Sequence, residues 1–292
     1  LRTCEYLERT RGAKVTYLQP DSQGMIDPQS VEDAVTEETI LISIMYANNE
    51  VGTIMPVEEI GEIAAKHGIW FHTDAVQAFG HVKIDAGKTK FDMLSASGHK
   101  FYGPKGCGFL YIRKGTPLTA FIHGGAQERQ RRAGTENVPA IVGMGMAAEI
   151  AADQMEARGR YEKQLRDYMI GRLEKEIPHV RLNGHRKKRL PNNVNMTFSY
   201  VQAESVLIML DMQDICASGG SACSSGSLDP SHVLTALGCS RDQAKSTIRF
   251  TLSYQTTKEE IDTAVAAMKQ IVSRLRSMSP AYLSASEHNT RA

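Results

Sequence analysis

Ser95-Ala96-Ser97-Gly98-His99-Lys100 closes a strand-like segment that starts at Asp92. The pattern is a strand running into a tight glycine turn that presents a lysine. A lysine just past a buried strand end is held by packed backbone, with the Ser97 hydroxyl and the His99 imidazole beside it. A desolvated lysine with neighbouring donors suits a Schiff base with an aldehyde. A surface lysine in a glycine turn fits the hexapeptide equally well, so the flanking sequence has to decide.

Upstream, His72-Thr73-Asp74-Ala75-Val76-Gln77 closes another predicted strand. Pyridoxal phosphate (PLP) needs an acid against its ring nitrogen to act as an electron sink. Asp74 stands where such an acid would, and Gln77 is three residues on, within reach of a ring hydroxyl. Taken alone, an Asp that caps a following helix explains the hexapeptide better. The pair says more: an acid at one strand end and a lysine at the next, 26 residues later. Parallel sheets bind ligands at the carboxyl ends of their strands. The apolar run at 39–46 (TILISIMY) reads as a buried strand and adds Asn48-Asn49-Glu50 to the same rim. Three polar strand ends on one edge predict a cofactor pocket.

The periodicity around these motifs predicts a strand at 13–18 after an opening helix, and a helix at 28–35 capped by Asp27. It predicts a helix at 56–67 between Pro56 and Gly68, then strands at 69–72, 92–96 and 108–112. This β-α-β alternation predicts an α/β fold with a mostly parallel sheet covered by helices on both faces. The second half differs. Residues 138–177 read as one or two long helices, with strands at 193–199 and 246–253 and a helix at 203–211. Thr257 and Glu260 form a capping-box pattern. Ile261, Ala264, Val265, Met268, Ile271, Val272 and Leu275 then recur at helical spacing as a core stripe. The expected division is a large domain at 1–155 and a smaller α+β domain at 156–292.

A second kind of signal lies at 217–226, Ala-Ser-Gly-Gly-Ser-Ala-Cys-Ser-Ser-Gly, a run of small residues around one thiol, Cys223. A nucleophile that visits a buried cofactor and leaves again needs such a segment. A Ser/Gly linker with an incidental Cys is the plainer alternative, but buried cysteines more often sit among apolar residues. Cys107, Cys216 and Cys239 read as structural. Arg249, between Ile248 and Phe250 on a predicted strand, suits recognition of a carboxylate; by spacing alone a structural ion pair explains it better.

Composition narrows the classes. The 292 residues are 41% hydrophobic, enough for a sizeable core, and 34 Lys+Arg against 33 Asp+Glu leave a formal charge of +1. No global field recruits nucleic acid or an anionic membrane. The basic run at 185–189 reads as a solvated loop. Five cysteines without CxxC spacing speak against a disulfide framework or a zinc ribbon and for a reducing, cytoplasmic setting. There is no apolar run of 18 residues. The chain opens mid-helix on Leu1 rather than on a secretory signal, which leads us to expect a fragment.

SGHK (97–100), HTDAVQ (72–77), YANNEVG (46–52), RRAGTEN (131–137), SGGSACSSGSLDPSHVL (218–234) and STIRFTLS (246–253) together resemble the NifS/IscS-like cysteine desulfurases, closer to the NifS branch. The resemblance runs through essentially the whole chain. It implies an α/β, fold-type-I PLP enzyme that removes sulfur from L-cysteine, giving L-alanine and a persulfide on the enzyme. It implies Lys100 as the covalent cofactor lysine, Asp74 on the ring nitrogen, Gln77 on the ring hydroxyl, and Ser97 and His99 on the phosphate. Thr135 would reach the phosphate across a homodimer interface. Asn48 would lie beside ring and substrate, Arg249 would hold the substrate carboxylate, and Cys223 would carry the persulfide. No resident metal is implied, although Cys223 could serve as a transient cluster ligand. The implied acceptor is an iron–sulfur scaffold or another sulfur carrier, in general cluster assembly, nitrogenase maturation or tRNA thiolation. The family's preceding segment, with a Gly-Thr phosphate turn and a ring-stacking His, has no counterpart here. The loop reads Ser-Gly-Gly-Ser where Ser-Ser-Gly-Ser is commoner. Competing readings are a selenocysteine lyase, an aminotransferase or lyase that uses Lys100 but not Cys223, and an incomplete fragment that only binds partners.

Overall fold

The computed structural model describes residues 1–219 and 230–289. Its first sheet is built from β1 (Leu41–Met45), β2 (Trp70–Asp74), β3 (Met93–Ser97) and β4 (Gly108–Ile112), in that order. β1, β2 and β3 run parallel, and β4 pairs antiparallel with β3. Successive side chains alternate between faces. Ile42, Phe71, Leu94 and Ala96 therefore share one core with Val31 of α2 (Pro28–Ala34) and with Val57, Ile60 and Ala64 of α3 (Val57–His67). The other face carries Ser43, His72, Asp74, Ser95 and Ser97.

Two expectations need correction. β1 is not buried on both faces: Ile42 is, but Leu41 is 48% exposed, because a sheet with one polar face hides only alternate residues. The helices that share a core with the sheet lie on its apolar face. Residues 13–18 form no strand either. That segment follows α1 (Arg2–Arg11) with side chains mostly exposed and with no ladder partner among the described residues. β-propensity without a neighbouring strand has nothing to pair with. The caps hold as read. The Asp27 side chain accepts from the Gln29 amide, and Gly68 ends α3 in the left-handed region at φ 67°. At the β3–β4 hairpin, Gly108 is obligatory: a Cβ there would stand 2.5 Å from the Ala96 carbonyl oxygen.

After a single distorted turn, α4 (Gln127–Gln130), one unbroken helix of 39 residues, α5 (Val138–Glu176), spans about 58 Å. Asn137 caps it. Its first half packs near the first sheet, where Ala151 faces Gly80. Its second half gives Leu165, Met169 and Leu173 to the second core. The expected division near residue 155 falls inside this helix.

The second sheet is antiparallel, in the order β5 (Val180–Leu182), β6 (Asn193–Phe198) and β7 (Thr247–Thr251). Val194, Met196, Phe198, Ile248 and Phe250 pack against α5, α6 (Ala203–Asp211) and α9 (Lys258–Ser277). α7 (His232–Ala236), α8 (Arg241–Lys245) and α10 (Pro280–Asn289) complete the chain. The Thr257–Glu260 capping box is present, and every residue of the predicted stripe from Ile261 to Val272 is buried. No described helix is long and apolar enough to cross a membrane.

The basic run is not simply solvated. Arg189 is 3% exposed. Its guanidinium donates to the carbonyls of Asn183, His185 and Asn193. Burial, and then the Arg166 charge, lower its pKa to about 9. Backbone carbonyls that the loop would otherwise leave unpaired explain why a cation is drawn inside.

Candidate active site

Register places three strand ends on one rim. Met45 pairs with Asp74, and Asp74 with Ser95. The chain continues this pairing past the strands, with Tyr46 N donating to Asp74 O at 2.8 Å and Ala75 N to Ser95 O at 2.9 Å. Asp74, Asn48 and the turn after Ser97 are thereby brought together, as the sequence predicts.

Asp74 is half-buried, and its Oδ1 accepts from Val76 N at 2.9 Å. Gln77 lies half-buried in the following turn. Beneath Asp74, on the same sheet face, His72 ties three strands together. Its Nδ1 lies 2.8 Å from Ser43 Oγ and its Nε2 2.8 Å from Ser95 Oγ. Burial holds this imidazole below its ordinary pKa, with the Asp74 charge opposing. His72 is thus a neutral cross-brace at neutral pH; the motif reading passed over it. The signal was available, because Ser43, His72 and Ser95 fall on the polar positions of the alternation.

Past β3, Ser97 Oγ and His99 Nδ1 are 2.9 Å apart. Lys100 is exposed rather than desolvated as the strand-end reading expects, because it stands on the turn past β3, while its neighbour Phe101 is 1% exposed and stacks edge-on to Phe79 at 4.9 Å. An anchored aromatic beside a presented lysine is how the turn stays rigid while its amine faces outward.

The second sheet supplies the rest. Arg249 Nη1 donates to Asn49 O at 2.7 Å and Nε to Ser218 Oγ at 3.1 Å. A chain separation of 200 residues is closed there. Asn48 Oδ1 accepts from the Glu50 and Val51 amides at 2.8 and 3.0 Å. Glu50, 1% exposed, offers its carbonyl to the side chains of Asn193 and Asn195. Its carboxylate accepts from Ser231 Oγ, and burial raises its pKa. Asn193 and Asn195 are partners of the rim backbone that the motif reading missed, although polar residues at alternate positions of β6 mark that face.

Cys223 lies outside the described residues. Its flanks do not. Ser218 exchanges two backbone hydrogen bonds with Arg249, at 3.0 and 2.7 Å, and Ser231 holds Glu50. Both described ends of the cysteine-bearing segment are therefore tied to the rim. Thr135 is exposed in the stretch before α5, and no described hydrogen bond joins it to the strand ends. Of the other cysteines, Cys107 and Cys239 are built in: Cys107 Sγ donates to the Pro104 and Ala140 carbonyls, and Cys239 is buried. Cys216 departs from its structural reading. It is exposed and outside any strand, since β-pairing of this segment begins only at Ser218.

The class-V aminotransferase model matches residues 1–264. The cysteine desulfurase IscS of Methanosarcina thermophila is 54% identical over 96% of this chain and 69% of its own length. The chain belongs to the class-V aminotransferase family, among the NifS/IscS-like cysteine desulfurases. A solved NifS-like protein superposes with a TM-score of 0.86 at 37% identity, over 93% of this chain and 71% of that one. SspA, solved in complex with cysteine, gives 0.72 at 39% identity, over 88% and 71%. The α/β fold of the PLP fold-type-I enzymes is thus that of this cysteine desulfurase family member.

Proposed function

We propose that the protein uses PLP to take the sulfur of L-cysteine onto Cys223, releasing L-alanine. The observation that carries this reading is the rim itself. Asp74 ends β2, Lys100 lies in the turn after β3 and Arg249 sits in the middle of β7, with Ser218, on one flank of the Cys223 segment, paired to Arg249. The donor set fits PLP: a carboxylate for a ring nitrogen, an amine for an aldehyde, and a hydroxyl–imidazole pair suited to a phosphate. Lys100 would be the covalent attachment point, Gln77 and Asn48 would contact the ring, and Ser97 and His99 would hold the phosphate. Thr135 of a second copy would complete the phosphate site, which makes the working form a homodimer.

Bound PLP supplies an electron sink next to the substrate Cα. The protein does the rest. Asp74 would keep the ring nitrogen protonated by charge. Arg249 grips the substrate carboxylate and so fixes which Cα bond faces Lys100. The Lys100 amine moves the Cα proton. Cys223, as thiolate, attacks the substrate sulfur; an S–S bond forms as the Cβ–S bond breaks, the electron pair of that bond passes to Cβ, which takes a proton to become the methyl of alanine, and the sulfur stays on the enzyme. It is then handed to an acceptor such as an iron–sulfur scaffold protein.

The PLP-loaded protein should convert L-cysteine to alanine with one persulfide per chain when no reductant is present. Transamination without sulfur release would refute the reading. Asp74→Ala should raise the barrier by at least ~2 kcal/mol, the size expected for losing one preorganised electrostatic partner. Steady-state turnover within a few-fold of wild type would contradict that role.

A further inference from the structure

Behind the Lys100 turn lies a cluster that the reaction as described does not use. Glu162, on α5, is 2% exposed, and its Oε2 is 4.0 Å from His81 Nδ1. The other ring nitrogen, His81 Nε2, lies 3.0 Å from the Lys100 carbonyl oxygen. One helical turn earlier, Arg158 sets its guanidinium 3.9 Å from the centroid of the Tyr254 ring and 5.6 Å from that of Tyr102. The two rings meet edge-on at 5.1 Å. Arg158 Nε is buried without a hydrogen-bond partner, so the aromatic faces are what this cation has instead.

The two tyrosines belong to the two halves of the rim. Tyr102 stands two residues after Lys100 with its backbone in the left-handed region, at φ 69°. A bulky residue keeps that conformation only where its surroundings impose it. Tyr254 lies just past β7, the strand of Arg249. One face of α5 therefore touches the lysine turn through Tyr102 and His81, and the strand of Arg249 through Tyr254.

We propose that Arg158 and Glu162 are positioning residues for the reaction: they set the Lys100 turn against the strand that carries Arg249. The proposal rests on the roles given to Lys100 and Arg249 above. The groups facing Glu162 are His81, Arg158 and Tyr102, with Tyr254 behind. Burial raises the Glu162 carboxyl to about 7, against the pull of Arg158, and burial also lowers the His81 pKa. Below pH 7 a protonated Glu162 faces the lone pair of a neutral His81 whose Nε2–H points at the Lys100 carbonyl. Above it a carboxylate 4.0 Å from Nδ1 favours a proton on that nitrogen, so the charge state of the pair behind the Lys100 carbonyl changes across neutral pH.

The test uses the PLP-loaded protein with Glu162→Gln, Arg158→Met and Arg158→Lys. The readouts are the pH midpoint of the lysine-bound cofactor absorbance, kcat and KM taken separately from pH 6 to 9, and the melting temperature. Glu162→Gln, isosteric and uncharged, should shift the absorbance midpoint by about half a unit, a threefold change in proton affinity. Its melting temperature should not fall. Arg158→Met should raise KM for L-cysteine on the order of tenfold through misplacement of Lys100 against Arg249. Arg158→Lys, which keeps a cation over the rings, should recover part of that loss. Wild-type midpoint and KM in both Glu162→Gln and Arg158→Met would overturn the proposal, and so would a lowered melting temperature as the sole effect. A Lys100→Ala protein that kept the absorbance would instead remove the reading beneath it.

Discussion

Replacing Lys100 by alanine should abolish the absorbance of lysine-bound cofactor and with it desulfurase turnover. In the proposed reaction the amine has two separate duties, attachment of the cofactor and movement of the Cα proton, and alanine supplies neither. Loss of the acid–base role alone costs about 10²–10⁴ in rate. Lys100→Arg separates the two causes: it keeps a cation on the exposed turn but cannot form the covalent link or release a proton near neutral pH. It should be as inactive as the alanine variant. The fold should survive, because the turn is anchored by buried Phe101 and by the Gly98 amide on the Cys107 carbonyl, not by the lysine side chain. The measurements are an absorbance spectrum after gel filtration with PLP and an alanine-release assay. A wild-type spectrum in Lys100→Ala would show that another amine carries the cofactor.

Cys223→Ser should keep cofactor binding and the spectral response to L-cysteine, yet form no persulfide. A serine hydroxyl is not ionised near neutral pH and cannot take up sulfur as a disulfide-linked species, so the loss should be complete rather than partial. The rival thiol is Cys216, which is exposed and only two residues before Ser218, where the chain pairs with Arg249. Cys216→Ser should retain persulfide formation, as should Cys107→Ser and Cys239→Ser. Mass spectrometry of L-cysteine-treated protein decides among them. An added sulfur on Cys216 or Cys239 with none on Cys223 would overturn the assignment of the acceptor thiol.

These two residues stood out in the sequence as candidates only when motifs were read together. A lysine after Ser-Gly-His fits a surface turn equally well, and a thiol among Gly and Ser fits a linker. Asp74 alone reads better as a helix cap and gains weight only from the lysine 26 residues later. Arg249 was different: spacing alone favoured an ion pair, and only the family resemblance pointed to a carboxylate. In the fold its guanidinium is aimed at the Asn49 carbonyl and the Ser218 hydroxyl, contacts that no local pattern encodes. Asn193 and Asn195 were overlooked for the same reason, and Glu50 was read only as part of the rim, since buried polar residues declare their partners only across the junction.

The sequence by itself determined the parallel arrangement of the first three strands, the capped helices, the core stripe of α9 and the family. Each of these depends on spacing within one element or on motifs in fixed order. The tertiary structure alone decided that residues 13–18 stay unpaired, that α5 runs unbroken between both cores, and that Arg189 turns inward. It also decided that the two ends of the Cys223 segment are fastened to Arg249 and Glu50. The physical reason is common to all of them: a strand needs a neighbour, a buried cation needs carbonyls, and a rim needs two sheets. Those partners are supplied by packing between residues far apart in the chain.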